Sequence, residues 1–524
     1  MMPRFNLIDS SWIPVRALGG EVREVGLLQL LLQAHRLQAL AEVSPVNLIA
    51  LYRLLAALLA DMRAESAMPV ALDEAWVEGF PEPWVRRYLD AYHDRFWLFH
   101  PTHPFMQVPA LLSAEETSPE HRRKPWTQLA PERANGATPT LFDHSIDASP
   151  APIGAAQAAR CILGFLQCTP GGLVKVFRVS DRAGPAADSA VVIPLGGTLA
   201  RTLLMCAPAG NDPRFPSDSV SWRRDPPLVS TLRSDRTFAS LGARDRYTRL
   251  SRAVLLEPAT DEASPPVRWI RYGAGLAIAE DPADRDPMVA YRMGAKQLIR
   301  VGFEEGRAIW RDLGALLPDP AGKQARPPDI LGAALAVLEE ACEPADSHVP
   351  VLVAGIASDQ AKVERWRVAE FRLPQQLMRD PALAIVFRDA IATAEAVARR
   401  LRDIAGRLAL ELLPGTDSRR KRDDAYALCD QWPTRRLFFV AIERGLPRLL
   451  TDLGKGDIDG ALARWRAGQA AAVRTAWGAT LYAVGLSGRA ISAAAKAERD
   501  LRQLLAEFAP QVVQQRNTSE EVRA

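Results

Sequence analysis

The stretch "ALAIVFRDAIATAEAVARRLRDIAGRLALELLPG", Ala382 to Gly415, decides the architecture. Leu383, Phe387, Ile391, Ala394, Val397, Leu401, Ile404 and Leu408 recur at intervals of three and four, so they line one face of a long helix. Pro414 and Gly415 stop it. Toward the C-terminus, helical patterns follow over 435–453, 457–486 and 489–508, separated by turns containing glycine. Four amphipathic helices joined by fairly short connections predict an antiparallel four-helix bundle over 379–524. Within it, the mixed charge run "DSRRKRDDAY", Asp417 to Tyr426, reads as a solvated loop, because its acids flank its bases.

Upstream of "FRLPQQLMRDP" the texture differs. "FNLIDSSWIPV" at the start reads as a strand, a turn at Asp9 to Ser11 and a second strand ending at Pro14. "LIALYRLLAALLA", Leu48 to Ala60, is too short to span a bilayer and contains Arg53, so it is expected as a buried helix from about Pro45 to Arg63. The alternations "AVLLEP", "VRWIRYG" and "VPVLVAGI" between 241 and 372 read as strands of a mixed sheet. The predicted fold class is therefore α+β, with a large mixed α/β domain over 1–378 ahead of the bundle. A chain of 524 residues exceeds what one core usually supports, which agrees with two domains.

Composition narrows the function. A formal net charge of +3 does not by itself demand nucleic acid. Cys161, Cys168, Cys206, Cys342 and Cys429 form no CxxC pair and no disulfide framework, so a reducing cytoplasm is expected. The N-terminus carries no secretory pattern, and no membrane association is expected. There is no GxSxG elbow, Walker loop, GxGxxG or paired Cys–His spacing. The one cluster that suggests metal chemistry is His93, His100 and His103 around "FWLFHPTHPFMQV". Pro101 and Pro104 force that segment into a loop, and acidic or thiolate partners are not evident nearby. A metal-dependent hydrolase using these histidines is the alternative to a structural turn. Two Gly pairs, Gly171-Gly172 and Gly196-Gly197, and the segment "VAGIASDQAKVERWR", Val353 to Arg367, remain as loops of interest. Alone, the latter is a hairpin or a strand-to-helix loop.

Taken together, "FNLIDSSWIPV", "HPTHPFMQV" and "VAGIASDQAKVERWR" ahead of a helical bundle resemble the large subunit of the type I-E CRISPR interference complex, Cascade, the CasA family. The resemblance covers nearly the whole chain. It implies a subunit without catalysis or cofactor of its own, which reads the protospacer-adjacent motif on double-stranded target DNA, starts strand separation and helps recruit a helicase-nuclease. Implied partners are the other Cascade protein subunits and the CRISPR RNA. The family's glycine loop on the minor groove corresponds to Gly171 and Gly172. Its wedge glutamine corresponds to Gln360, beside Ala361 and beside Asp359, where the family commonly has Asn. Its basic finger corresponds to Arg268 or Arg271, with Arg268 favoured. Its loop docking on the guide RNA end corresponds to "LFDHSI", anchored by Phe142. A purely structural scaffold is the third reading.

Overall fold

In a computed structural model, residues 4–66, 70–114, 123–131, 133–134, 143–144, 146–207, 212–279, 284–359, 362–415 and 418–508 are described. The chain divides into two compact units, Met1–Pro381 and Ala382–Ala524. The first mixes helices with small antiparallel sheets, and the second is helical among the described residues.

The opening segment does not fold back on itself. Strand β1 (Arg4–Asn6) pairs with β5 (Trp97–Phe99), whereas β2 (Ile13–Ala17) is the middle of a sheet with β3 (Val22–Val25) and β4 (Leu37–Leu40). Pro14 lies inside β2 rather than ending it. It has no N–H to donate, and its carbonyl accepts from Ala41 N at 2.8 Å. Nor do the later strands join one mixed sheet. β10 (Arg252–Pro258) pairs with β11 (Val267–Ala274), whose other edge takes the short β6 (Lys124–Pro125). β15 (His348–Asp359) and β16 (Lys362–Pro374) form a long hairpin whose inner strand pairs with β9 (Val191–Pro194). β12 (Tyr291–Met293), β13 (Leu298–Arg300) and β14 (Ala325–Arg326) make a third sheet, and β7 (Gly172–Leu173) with β8 (Ser180–Asp181) a two-stranded one. Periodicity identifies strands but not which strand pairs with which.

The helix α1 (Pro45–Glu65) packs on the β15–β16 hairpin, and also on α2 (Ala155–Cys168) and α3 (Ala243–Thr248). Its apolar run is buried all round, as a central core helix requires. Two of its buried residues, Arg53 and Asp61, are charged and reach partners on other elements. The Arg53 guanidinium donates to Asp286 Oδ2 at 2.7 Å and to Gln167 Oε1 at 3.1 Å, and lies over the Tyr247 ring. Asp61 accepts from Tyr88 Oη, from Arg223 Nε at 2.7 Å and from Arg244 Nη1 at 3.2 Å. These bonds tie the central helix to segments far away in sequence.

The second unit is built on α4 (Pro381–Leu412), whose eight predicted core positions from Leu383 to Leu408 are all buried. The charge run predicted as a loop instead starts α5 (Arg419–Gln431), capped by Ser418 Oγ accepting from Lys421 N at 3.2 Å. Ala425 and Cys429, one helical turn apart, supply its buried stripe, and Arg402 of α4 forks onto Asp430 at 2.7 and 2.6 Å. The expected helix over 435–453 breaks at Gly445 into α6 (Thr434–Glu443) and α7 (Leu446–Gly454). α8 (Ile458–Val484) and α9 (Gly488–Ala506) complete the unit, each started by a side-chain cap, Asp457 and Ser487.

Candidate nucleic-acid interface

The glycine pair sits where α2 ends. Gly172 pairs with Asp181 and Leu173 with Ser180, so residues 172–181 form a hairpin. Its turn is closed by Val179 O, which accepts from Val174 N at 3.0 Å and Lys175 N at 3.2 Å. Neither glycine has a positive φ, so left-handed backbone is not what selects them. The left-handed residues of the hairpin are Lys175 (φ 62°) and Phe177 (φ 64°). A Cβ on Gly171 would stand 3.2 Å from Ala183 N and 3.4 Å from Asp181 O, so its missing side chain already serves a close approach within the chain. Phe177 is buried with Val108, Leu111, Leu232 and Leu255, and Val176 O accepts from Ala274 N at 3.0 Å, docking the hairpin on the end of β11.

A buried ionic group fixes the base of this hairpin. The Asp181 carboxylate accepts from Arg178 Nη2 (2.6 Å), Arg182 N (2.9 Å) and Gly275 N (2.8 Å), and pairs with Arg252 Nη1 at 3.1 Å. Arg178 also donates to Leu232 O, Ser234 O and Gly275 O, while Arg252 reaches Pro170 O and Arg182 O. Burial lowers the Arg252 pKa, an effect that Asp181 opposes. Sequence reading missed this group. An Arg178–Asp181 spacing looks like any surface pair until its long-range partners are known.

The two candidate basic fingers differ in their partners. Arg271 donates to Glu257 Oε1 at 2.7 Å, and Arg123 holds the other oxygen of Glu257 at 2.5 Å. Arg268 is exposed and donates to Pro150 O at 3.1 Å. Both line a cleft of about 570 Å³ between β10, β11 and the loop carrying His100 and Pro104. Arg268 and the hairpin sit at opposite ends of β11, roughly 20 Å apart at about 3.3 Å per residue. The structure therefore does not bring them into contact.

The histidines act as turn braces. His100 Nδ1 accepts from Thr102 N at 3.2 Å and His103 N at 2.9 Å. His103 Nε2 lies 3.3 Å from Asp225 Oδ1, and His93 Nε2 lies 3.0 Å from Asp9 Oδ2. Burial, and secondarily the neighbouring His103, lowers the His100 pKa and keeps its ring a neutral acceptor. Among the described residues no three His, Cys, Asp or Glu side chains converge on a common point. Burial also pushes the Cys168 thiol up to about 12, so that it is no nucleophile at neutral pH.

The proposed wedge falls in sequence between β15 and β16, whose register runs out to Asp359↔Lys362. Gln360, Ala361 and the Asp359 side chain are outside the described residues, as is Phe142. Gly355 is not in the turn. It is paired with Arg367 inside β15, where a Cβ would collide with Ser189 O.

The model of the family described as CRISPR-associated protein Cse1 matches residues 6–487. CRISPR-associated protein CasA/Cse1 of Thermus thermophilus is 34% identical over 520 residues, which is 98% of this chain and 99% of that protein. A crystal structure of CasA from Thermus thermophilus aligns with a TM-score of 0.82 at 30% identity, covering 96% of this chain and 100% of that one. A chain of a structure described as a CRISPR RNA-guided surveillance complex has the same fold, with a TM-score of 0.74 at 21% identity, covering 96% of this chain and 100% of that one. With both units, their order and nearly every residue accounted for, the chain belongs to the CRISPR-associated Cse1 family.

Proposed function

We propose that this chain is the large subunit of a type I-E CRISPR RNA-guided surveillance complex in the cytoplasm. In that complex it reads the protospacer-adjacent motif on duplex DNA through the minor groove, begins strand separation and helps recruit the helicase-nuclease. The family is non-catalytic, and the observation that carries the reading is likeness to CasA/Cse1 along 98% of the chain. A chain of this fold in a structure described as a surveillance complex supports the remaining partners, the other subunits and the guide RNA.

Minor-groove edges present a degenerate pattern, so a reader there relies on backbone approach, a basic side chain and an inserted wedge. The Gly171-Gly172 hairpin supplies the backbone approach and Arg268 the charge. Gln360, flanked by Asp359 and Ala361, is the wedge, and Phe142 docks the chain toward the guide RNA. Sequence reading beyond the motif is left to the guide RNA.

Assembled complexes carrying single substitutions test these roles. Arg268→Ala weakens motif-dependent binding and flattens its salt dependence by about one phosphate-equivalent. Gln360→Ala spares initial binding but slows opening, because unstacking costs a few kcal/mol per step. A target already bubbled beside the motif rescues Gln360→Ala if the glutamine is a wedge. An equal defect on bubbled and intact targets defeats that role.

A further inference from the structure

Lys175 occupies a backbone conformation that suits glycine or asparagine, with φ at 62°, on the tip of the Gly171-Gly172 hairpin. The local sequence places its residues against backbone preference. Glycine stands at 171 and 172, where φ is negative, and lysine stands where φ is positive. Close packing explains Gly171, as does burial for Phe177, the other left-handed residue. Neither explanation applies to Lys175, which is exposed, and among the described residues its ammonium makes no hydrogen bond or ion pair. The fold therefore gains nothing visible from this side chain while its backbone is held in an unfavoured region. Such an outlier persists only where the surroundings over-determine it.

The surroundings do so here. Asp181, Arg178 and Arg252 lock the base of the hairpin, and Phe177 anchors its far side in the core. Leu173 and Val179, 69% and 72% exposed, flank the lysine on the open side. The tip is thus held against the core by Phe177 and Val176, with Lys175 exposed on its open side.

We propose that Lys175 is the phosphate contact of this hairpin, directed at the backbone of duplex DNA. The proposal rests on the reading of the hairpin as a groove-facing element. A lysine ammonium is a point charge on a flexible stem, so it neutralises a phosphodiester without reading a base. Its contribution is therefore the same for accepted and rejected motifs.

The test uses complexes assembled with wild-type, Lys175→Gly and Lys175→Arg chains. Each is titrated with duplexes that do or do not carry an accepted motif, at several salt concentrations. Lys175→Gly relaxes the backbone while removing the charge, so the chain melts at or above the wild-type temperature. Its affinity falls about tenfold at 0.1 M salt, equally on both duplexes, and its log K against log salt slope becomes shallower by about 0.9. Lys175→Arg stays within about twofold of wild type. Wild-type affinity and slope in Lys175→Gly overturn the proposal, as does a lowered melting temperature with an unchanged slope, which marks a structural role. If the wild-type complex itself does not distinguish the duplexes, the motif-reading function fails. If it does and Lys175→Gly is silent, only the lysine's role fails.

Discussion

Replacing Asp286 by alanine strands a cation that is among the most deeply buried of the described residues. Arg53 and Asp286 are both 0% exposed and meet at 2.7 Å beneath the central helix α1. Taking a guanidinium out of water costs several kcal/mol, and here Asp286 is the counter-charge that offsets it; Gln167 and the Tyr247 face offer only dipoles. Asp286→Ala is expected to lose about 3–5 kcal/mol, the range for breaking a buried pair from one side. Arg53→Met should lose less, because Arg246 and Arg300 still act on the carboxylate and Met288 N donates to it at 3.0 Å. The double replacement Arg53→Met, Asp286→Leu removes both desolvation costs and should recover at least about 2 kcal/mol of the sum of the singles. Urea unfolding of the full chain, followed by tryptophan fluorescence and circular dichroism, separates the transition of the first unit from that of the second. Strict additivity, or a loss below about 1 kcal/mol in Asp286→Ala, would refute the claim that this pair closes the core electrostatically. The pH dependence has a definite sign. Burial alone would raise the Asp286 carboxyl, but Arg53, then Arg246 and Arg300, outweigh it and hold it below the ordinary range. Its contribution is therefore present above the unfolded value of about 3.9 and is lost as pH falls below it.

His103→Ala should cost less than about 1 kcal/mol in a thermal melt, since its side chain is 35% exposed at Asp225; a larger loss contradicts the bracing role drawn for it. His100→Ala should cost more, about 1 kcal/mol, because two backbone N–H groups lose their acceptor. The lowered His100 pKa makes its contribution present above about pH 6.5 and lost as pH falls through the lower folded value, which an acid titration watched by nuclear magnetic resonance would follow. Residues 379–524 expressed alone should melt cooperatively as a helical unit, and Trp465→Phe should lower that transition by about 1 kcal/mol through loss of the bond to Ala390 O; gradual non-cooperative melting would show that the bundle needs the rest of the chain.

The helices were legible because their signal is local. Phe387, Leu401 and Leu408 lie on one face by spacing alone, and "LIALYRLLAALLA" is apolar all round, so α4 and α1 followed from composition and period. α5 was not, because its buried stripe is as narrow as Ala425 and Cys429, and its charges find partners on another helix. Strand pairing failed for a related reason. Val15 and Leu255 announce strands, but nothing local says that β1 joins β5 or that β11 joins β6. At the candidate site, Gly171-Gly172 and Arg268 stood out by residue type. The Asp181 group did not, since Arg178, Arg252 and Gly275 converge only in three dimensions. Lys175 was equally inconspicuous, because a backbone in the left-handed region has no signature in a lysine.

The most direct measurement of the central claim is equilibrium binding of the reconstituted complex, with and without this chain, to two target duplexes that differ only in the motif. The complete complex should prefer the motif-bearing duplex by at least about tenfold, and omitting this chain should remove the preference while guide pairing to single-stranded target survives. Equal binding to both duplexes by the complete complex, or a preference that persists without this chain, would contradict that claim.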